Sequence, residues 1–194
     1  MNFKNTYYLI RHGECLSNLT NTNDSRGDVT NVLTEIGREQ MKHCAETLKE
    51  SGIVFEKIIS SPFVRAVESA ELLLKDVEIN DRQILLTELL KEMDHGSEAQ
   101  GKKIIRQENE DLHKVHGDGE SYWDVRGRMS VLISQLEQKW TDKNLILVTH
   151  VTPIWMFYSA IFDLDEEKTL AFRDKRKTDQ GFFIKNGDPL VISH

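Results

Sequence analysis

The stretch YYLIRHGECLSN, residues 7–18, decides how the rest of the chain is interpreted. Its first four residues are apolar or aromatic, which is typical of a short buried β-strand, predicted here over residues 6–11. Arg11, His12 and Gly13 follow without any turn residues between them and the apolar run. A cation and an imidazole therefore come to the end of a buried strand, which is where open α/β sheets bind ligands.

The length, composition and charge of the chain are those of a soluble globular domain. Its 194 residues are 39% hydrophobic and 29% charged, which is enough for one core, and we predict a single domain over residues 1–194. The net charge of −7 disfavours a nucleic-acid partner, because phosphate backbones need a cationic protein face. The sequence shows no signal peptide, membrane span or disulfide framework, so we predict a cytoplasmic protein without a membrane partner. The oligomeric state stays open.

Strands alternate with helical patterns along the chain. The further predicted strands lie in FEKIISS (55–61), at the start of RQILLTELL (82–90) and in NLILVTH (144–150). This alternation predicts a three-layer α/β fold with a mostly parallel central sheet and helices on both faces. The last residues, GFFIKNGDPLVIS (181–193), predict an antiparallel hairpin that turns at Asn186-Gly187.

Capping signals predict where the helices begin. The predicted starts are Thr34, Ser61 with Pro62 at the first helical position, Ser121 with Asp124, and Thr152 with Pro153. Residues 94–120 are polar, contain four glycines and lack a helical or strand period. We interpret this stretch as a lid or insertion that holds at most one short helix.

Unusual side chains follow three of the predicted strands. Arg11 and His12 follow the first strand, Arg65 lies in the first turn of the helix after the second, and His150 follows the last. Because the carboxyl ends of parallel strands meet at one sheet edge, these four side chains should lie together. Two arginines and two histidines in one pocket would repel each other unless an anion lay between them. The pattern therefore predicts a phosphate site.

The same motifs resemble those of the histidine phosphatase superfamily, also called phosphoglycerate-mutase-like. The resemblance covers nearly the whole chain in the order of the family, through RHGE (11–14), SPFVRAVESA (61–70), KEMDHG (91–96) and VTH (148–150). It implies the phosphoglycerate-mutase-like fold. The four letters RHGE are a weak signal alone, but the combination is specific.

The resemblance implies a role for each matching residue. His12 is expected to be the nucleophile that becomes a phosphohistidine, and Glu92 the general acid that protonates the leaving oxygen. Arg11 and Arg65 are expected to bind the phosphoryl oxygens through their planar guanidinium groups. His150 is expected to be the second histidine of the pocket. The further phosphate- or substrate-binding positions are Asn18, Gly13, Gly27 and Val151. Gly13 is expected because a side chain there would obstruct the phosphate.

The sequence departs from the family pattern in three segments that are expected to surround the substrate. In GDVTNVLT (27–34), Gly27 and Leu33-Thr34 match the family motif, whereas Asp28, Thr30 and Val32 do not. GSEAQG (96–101) lacks the tryptophan that is usual in the family. Val151 stands where the family usually has a glycine. None of them removes a catalytic side chain. They therefore leave the identity of the substrate undetermined but do not change the expected mechanism. Cys15 replaces the usual threonine or serine, and we interpret it as a packing residue.

We predict no metal and no cofactor. HKVH (113–116) has a spacing that could ligate a metal together with Asp111 or Asp118, but this spacing is common in polar loops. The basic run RDKRK (173–177) is interpreted as a solvated loop, with contact to a second anionic group of the substrate as the alternative. Lys102 and Lys103 are interpreted in the same way.

The resulting functional prediction is a phosphomonoesterase that hydrolyses a small soluble phosphorylated metabolite through a phosphohistidine. One alternative is a phosphotransferase of the phosphoglycerate mutase type, which in that subgroup carries a long insertion between the acid and the second histidine. Here the segment from Glu92 to His150 is shorter. The other alternative is a catalytically idle relative that binds phosphorylated ligands, which the complete set of catalytic side chains disfavours.

Overall fold

A computed structural model describes residues 3–103, 111–176 and 184–193. Its strands are β1 (Thr6–Arg11), β2 (Lys57–Ser60), β3 (Ile84–Leu86), β4 (Asn144–Thr149) and β5 (Pro189–Ile192). They form one sheet in the order β3-β2-β4-β1-β5. The neighbours β3-β2, β2-β4 and β4-β1 are parallel, and β5 pairs with β1 in the antiparallel direction. The predicted mostly parallel α/β fold with an antiparallel edge is confirmed.

Helices cover both faces of the sheet. They are α1 (Leu16–Thr20), α2 (Glu35–Glu50), α3 (Val64–Asp76), α4 (Tyr122–Lys139), α5 (Val151–Ile161) and α6 (Glu166–Lys175), with short 3₁₀ turns at Glu88–Leu90 and Ser97–Ala99. Alternate residues of β1 point to opposite faces, so Tyr7 and Leu9 pack in the core with α4 and α5, while Tyr8 and Ile10 pack in the core with α2 and α3. In the described parts of the chain, no helix is long and apolar enough to cross a membrane.

Two of the predicted helix starts are confirmed and two are shifted. Thr34 caps α2 through Gly37 N, and Ser121 caps α4 together with Asp124. The prediction that Ser61 caps the next helix is wrong, because the chain bends at residues 62–63 and α3 begins only after Phe63, its N-cap residue. Helix α5 begins at Val151 with His150 as its N-cap residue, two residues earlier than the predicted cap Thr152.

The end of the chain differs in part from the prediction. The antiparallel partner of β5 is β1, and Asn186-Gly187 forms a turn before β5, with Gly187 at φ +77°. The first strand of the predicted hairpin falls on residues 181–183, which lie outside the described residues. The prediction that the basic run 173–177 is a loop is wrong up to residue 175, since those residues form the last turn of α6, where cations suit the helix dipole.

Close backbone packing fixes the end of β1 against α2. A Cβ atom on Gly13 would lie 2.4 Å from Gly37 O, and a Cβ atom on Gly37 would lie 2.0 Å from Glu14 O. This packing is a reason for Gly13 in addition to the predicted one. A side chain at this position would collide with the first turn of α2, whatever its effect on a phosphate.

We expect Gly37→Ala to lower the free energy of unfolding by about 1–3 kcal/mol, because its Cβ atom must push rigid backbone away. Gly127→Ala in α4 is the matched control, since its Cβ atom would meet nothing within 4 Å. That change should raise the free energy of unfolding by about 0.5–1 kcal/mol through helix propensity. Chemical denaturation measures both effects. Equal stabilities of the two variants would show that the contact at Gly37 is not tight.

Candidate active site

His12 lies directly after β1, with its ring buried and only 4% exposed. Its Nδ1 is 2.7 Å from Gly13 O, and because a carbonyl oxygen only accepts, Nδ1 must carry the hydrogen. The lone pair of the neutral ring is therefore on Nε2, which accepts a 3.2 Å hydrogen bond from Arg65 Nε. The local backbone thus selects the tautomer that a nucleophilic Nε2 requires.

Arg65 is the second residue of α3, and its side chain is buried beside His12. Its Nη1 donates to Asp24 Oδ2 at 2.7 Å, and its Nη2 donates to the main-chain oxygen of Asp24 at 3.0 Å. The guanidinium carbon lies 5.0 Å from the ring centre of Phe63. The guanidinium is thus held on three sides before any ligand binds.

His150 follows β4 and its ring centre lies 5.0 Å from that of His12. Its Nε2 is 2.9 Å from Ser61 Oγ, while Phe63 packs edge-on against its ring at 5.3 Å. Its Nδ1 is buried and has no hydrogen-bond partner among the described residues. A buried polar atom without a partner is rare, and this ring therefore keeps one hydrogen-bonding position that the described residues do not use.

Arg11 is the last residue of β1 and contributes to the field at both histidines. Its Nη1 donates to Ile184 O at 3.0 Å, and its main-chain oxygen accepts from Gly187 N at 3.0 Å. Arg11 therefore also anchors the chain that leads into β5. The structure brings Arg11, His12, Arg65 and His150 to one sheet edge, as the sequence predicts.

The electrostatics of this cluster favour an anion. Burial, followed by the charges of Arg65 and Arg11, holds the pKa of His12 well below its ordinary value. Burial and Arg65, followed by His12 itself, have the same effect on the pKa of His150. Both rings are therefore neutral near pH 7. An anion bound between them would offset the arginine charges and raise both pKa values.

This arrangement predicts that the free protein loses stability as the pH falls. Unfolded histidines take up protons below about pH 6.5, whereas His12 and His150 stay neutral until their lowered pKa values are reached. Within that window the unfolded state binds more protons, so the free energy of unfolding should fall by up to about 3 kcal/mol per pH unit from these two groups. Inorganic phosphate should flatten this dependence.

Denaturation between pH 7.5 and about 5, with and without phosphate, measures the effect. His150→Gln should lose part of the pH dependence. His43→Gln, which changes an exposed histidine of α2, should keep all of it. A pH dependence that is the same with and without phosphate would contradict an anion site between the rings.

Glu92 lies in a segment that is fastened to the same sheet edge. Thr149 Oγ1 donates to Leu90 O at 2.6 Å, and Lys91 Nζ lies 5.6 Å from the ring centre of Phe63. The Glu92 carboxylate is half-buried, and its Oε1 accepts from Met93 N at 2.8 Å. The residues just before Glu92 thus contact Thr149 and Phe63, which are next to His150.

The remaining predicted binding positions are Asn18, Gly27 and Val151, and each has different contacts. Asn18 Oδ1 accepts from Cys15 N and Sγ, so its described contacts cap α1 rather than reach the four cationic or imidazole side chains. Gly27 has φ +78°, and a Cβ atom there would lie 2.4 Å from the ring of Phe63. Val151 is the first residue of α5 and packs against the core.

Sequence reasoning missed three residues of this site: Asp24, Ser61 in its contact with His150, and Phe63. Ser61 and Phe63 lie within the SPFVRAVESA motif, so their nearness to Arg65 could have been inferred. Asp24 lies in a polar loop, and nothing in the sequence distinguishes it from Asp28 nearby. Its contact with Arg65 depends on the tertiary path of the loop.

The HKVH histidines contact separate partners. His113 Nε2 is 2.8 Å from Glu166 Oε1, and its ring packs on Trp123. The ring of His116 faces His95 at 5.3 Å. Among residues 3–103, 111–176 and 184–193, no group of three or more His, Cys, Asp or Glu residues is arranged to hold a metal ion.

Comparison with known proteins gives a family match over most of the chain. The model of the histidine phosphatase superfamily (branch 1) matches residues 7–177. Two curated relatives are the mitochondrial serine/threonine-protein phosphatases Pgam5 of Drosophila ananassae and Drosophila persimilis, 36% and 39% identical over 84 residues. These matches cover 43% of this chain and only 27% of each relative. The similarity therefore concerns one part of those proteins.

Solved structures share the fold over nearly the whole chain. A mycobacterial glucosyl-3-phosphoglycerate phosphatase in complex with VO3 has a TM-score of 0.80 at 22% identity, covering 97% of this chain and 92% of that chain. The putative alpha-ribazole-5'-P phosphatase of Escherichia coli has a TM-score of 0.72 at 22% identity, covering 87% and 85%. A phosphoserine phosphatase of Entamoeba histolytica, in complex with 3-phosphoglyceric acid, has a TM-score of 0.71 at 21% identity, covering 97% and 95%.

Proposed function

Because the chain belongs to the histidine phosphatase superfamily, we propose that it hydrolyses a small phosphomonoester through a phosphohistidine on His12. The observation that carries this proposal is the state of the His12 ring. Its hydrogen is held on Nδ1 by Gly13 O, its lone pair is on Nε2, and Nε2 lies beside the guanidinium of Arg65. This is a buried neutral nucleophile next to a group that binds phosphoryl oxygens.

In the first proposed step, the Nε2 lone pair of His12 attacks phosphorus while the bond from phosphorus to the leaving oxygen breaks. Protonated Glu92 gives its proton to that oxygen, so the alcohol leaves neutral. Arg11, Arg65 and His150 donate hydrogen bonds to the phosphoryl oxygens as charge moves through the transition state. In the second step, water attacks phosphorus, Glu92 takes a proton from the water, and the bond to Nε2 breaks.

Substrate binding must change one contact of the free site. The hydrogen bond from Arg65 Nε occupies the lone pair of His12 Nε2 in the structure. A phosphoryl oxygen is a better acceptor than a neutral imidazole, because it is charged. We propose that the phosphoryl group takes over this donor, which frees Nε2 to attack.

Hydrolysis of a small metabolite is the favoured form of this function, and no metal is needed for it. The short segment between Glu92 and His150 supports hydrolysis rather than mutase chemistry. The arginine and histidine donors supply the electrostatic stabilisation that a metal supplies in other phosphatases. The two cysteines are free and buried, which suits a reducing cytoplasm.

The similarity to Pgam5 favours a second candidate, the hydrolysis of phosphoserine or phosphothreonine in proteins.

A substrate panel tests this proposal. We expect turnover of p-nitrophenyl phosphate that persists with a chelator present, and higher kcat/KM for one or more phosphorylated metabolites than for a phosphoserine peptide. With 3-phosphoglycerate and a bisphosphoglycerate primer, we expect free phosphate rather than 2-phosphoglycerate. Fast isomerisation would favour the mutase alternative, and the absence of any turnover would favour the idle relative. A preference for the peptide would favour the second candidate.

A further inference from the structure

Asp24 places a buried carboxylate on the guanidinium that the proposed mechanism assigns to phosphate. Asp24 Oδ2 lies 2.7 Å from Arg65 Nη1, and the two side chains are only 6% and 4% exposed. The main-chain oxygen of Asp24 accepts a second hydrogen bond from Arg65 Nη2. The third side of the guanidinium, Nε, faces His12. Because a guanidinium is rigid and planar, the two contacts with Asp24 fix the direction in which Nε points.

The surroundings of Asp24 fit a permanent anion. Its Oδ2 also accepts from Asn31 Nδ2 at 2.6 Å, and its Oδ1 accepts from Asp28 N at 2.8 Å and from Gln100 Nε2 at 2.7 Å. With Arg65, four donors surround two oxygens, which is what an ionised carboxylate can accept. Burial alone would raise the pKa of Asp24, but these hydrogen bonds and Arg65 together lower it.

Besides Arg65, two other parts of the chain hold Asp24 in place. Asn31 exchanges two 2.9 Å hydrogen bonds with Ser17 at the start of α1. Gln100 reaches Asp24 from the predicted lid, next to a bridge between Thr22 and Lys103. Asp24 is therefore a supported part of the site rather than a loop residue that meets Arg65 by chance.

The carboxylate also changes the charge that a phosphate meets. With His12 and His150 neutral, the cations of the cluster are Arg11 and Arg65, and Asp24 neutralises one of them. A guanidinium has five N–H donors, of which three are used by Asp24 and His12. Phosphate can therefore bind Arg65 through Nε, which it takes over from His12, and through the two unused N–H donors, but it shares the charge with Asp24.

We propose that Asp24 is a positioning residue and the built-in counter-ion of Arg65. It directs the guanidinium toward His12, and by sharing its charge it limits how tightly the site retains phosphate. This inference rests on the proposed function, because it takes phosphate as the ligand. Loss of Asp24 should therefore have two effects of opposite sign, with slower turnover but tighter binding of phosphate.

Asp24→Ala tests this directly. The change leaves a buried guanidinium without its anion, and added phosphate can take the place of that anion. We expect kcat for p-nitrophenyl phosphate to fall by about tenfold or more, because the guanidinium loses its fixed orientation. By calorimetry, the Kd for inorganic phosphate should fall by about tenfold, and phosphate should raise Tm more in the variant than in wild type.

Glu39→Ala is the control, since it removes an exposed carboxylate of α2 that pairs with Lys42 and not with Arg65. It should keep wild-type kcat and phosphate affinity. A merely structural role for Asp24 would weaken phosphate binding together with kcat. An unchanged or increased Kd in folded Asp24→Ala would therefore overturn the proposal.

Folding of the variant is itself informative. If Asp24→Ala is unfolded in chloride, recovery of the native circular-dichroism spectrum in phosphate supports the proposal, and failure in both salts contradicts it. Wild-type protein supplies the independent reference. If wild type neither binds phosphate nor turns over phosphomonoesters, the proposed function is wrong. If wild type does both and Asp24→Ala behaves like it, only the role of Asp24 is wrong.

Discussion

Replacing His12 by alanine should lower kcat/KM by about four orders of magnitude or more, which is the scale seen when hydrolases lose a nucleophile. The physical reason is that Nε2 is the one nitrogen of the ring that carries a lone pair in this structure. Without it, water would have to attack the phosphomonoester directly. The remaining donors of the site would still bind phosphate, so we expect KM to change far less than kcat.

The matched control is His43→Ala, which changes an exposed histidine of α2 and should retain full activity. His150→Ala should have an intermediate effect of about a hundredfold to a thousandfold, because it removes a donor to the phosphoryl oxygens but leaves the nucleophile. Steady-state kinetics with p-nitrophenyl phosphate measure all three variants. Residual activity of His12→Ala within a hundredfold of wild type would exclude His12 as the nucleophile.

Glu92→Gln should show the second largest effect, and its size should depend on the leaving group. An alkoxide is strongly basic and needs a proton as it departs, so for an alkyl phosphate we expect kcat/KM to fall by about 10²–10⁴-fold. A nitrophenolate can leave without a proton, so the loss with p-nitrophenyl phosphate should stay within about tenfold. Glutamine keeps the shape of the side chain and removes the proton.

The neighbouring Glu88 supplies the control, because it is exposed and its carboxylate pairs with Lys91. Glu88→Gln should leave both substrates almost unaffected. Equal losses on both substrates in Glu92→Gln would mean that Glu92 only supports the loop. The acid would then have to be sought at Asp94, which pairs with Arg26 in the free structure, or at Glu88 itself.

The fold and the centre of the site could be predicted because both depend on local patterns. Apolar runs that end in Arg11-His12 and Thr149-His150 define parallel strands, and parallel topology alone brings their ends together. The motifs around them predict the histidine phosphatase superfamily, and the family match over residues 7–177 confirms that membership. The solved phosphatase structures confirm the phosphoglycerate-mutase-like fold.

What could not be predicted depends on tertiary contacts. Helix α6 carries charged residues on most sides, and Thr169 is its buried residue. Its sequence therefore lacks the periodic apolar residues that would predict a helix. It is held by the Asp165 cap and by the hydrogen bond from Trp155 Nε1 to Thr169 O. Helix α3 starts late because Ser61 faces His150 instead of capping the helix.

The role of Gly13 shows the same limit. A glycine after a strand is compatible with access for a phosphate, with a tight turn or with close packing, and the sequence does not distinguish among them. The nearness of Gly37 O, which belongs to a helix more than twenty residues away, adds close packing as a reason that the sequence alone does not reveal. Asp24 likewise acquires its place through the nearby Asp28 N and through more distant donors from α3, from Asn31 and from Gln100.

The most direct test of the proposed mechanism is to trap the phosphoenzyme. Wild-type protein is mixed with a ³²P-labelled phosphomonoester that it turns over, quenched within one turnover, and digested for peptide mapping. We expect an acid-labile, alkali-stable label on the peptide that contains His12, and none in His12→Ala. A label on another residue, or steady turnover with no labelled protein at any quench time, would contradict a phosphohistidine on His12.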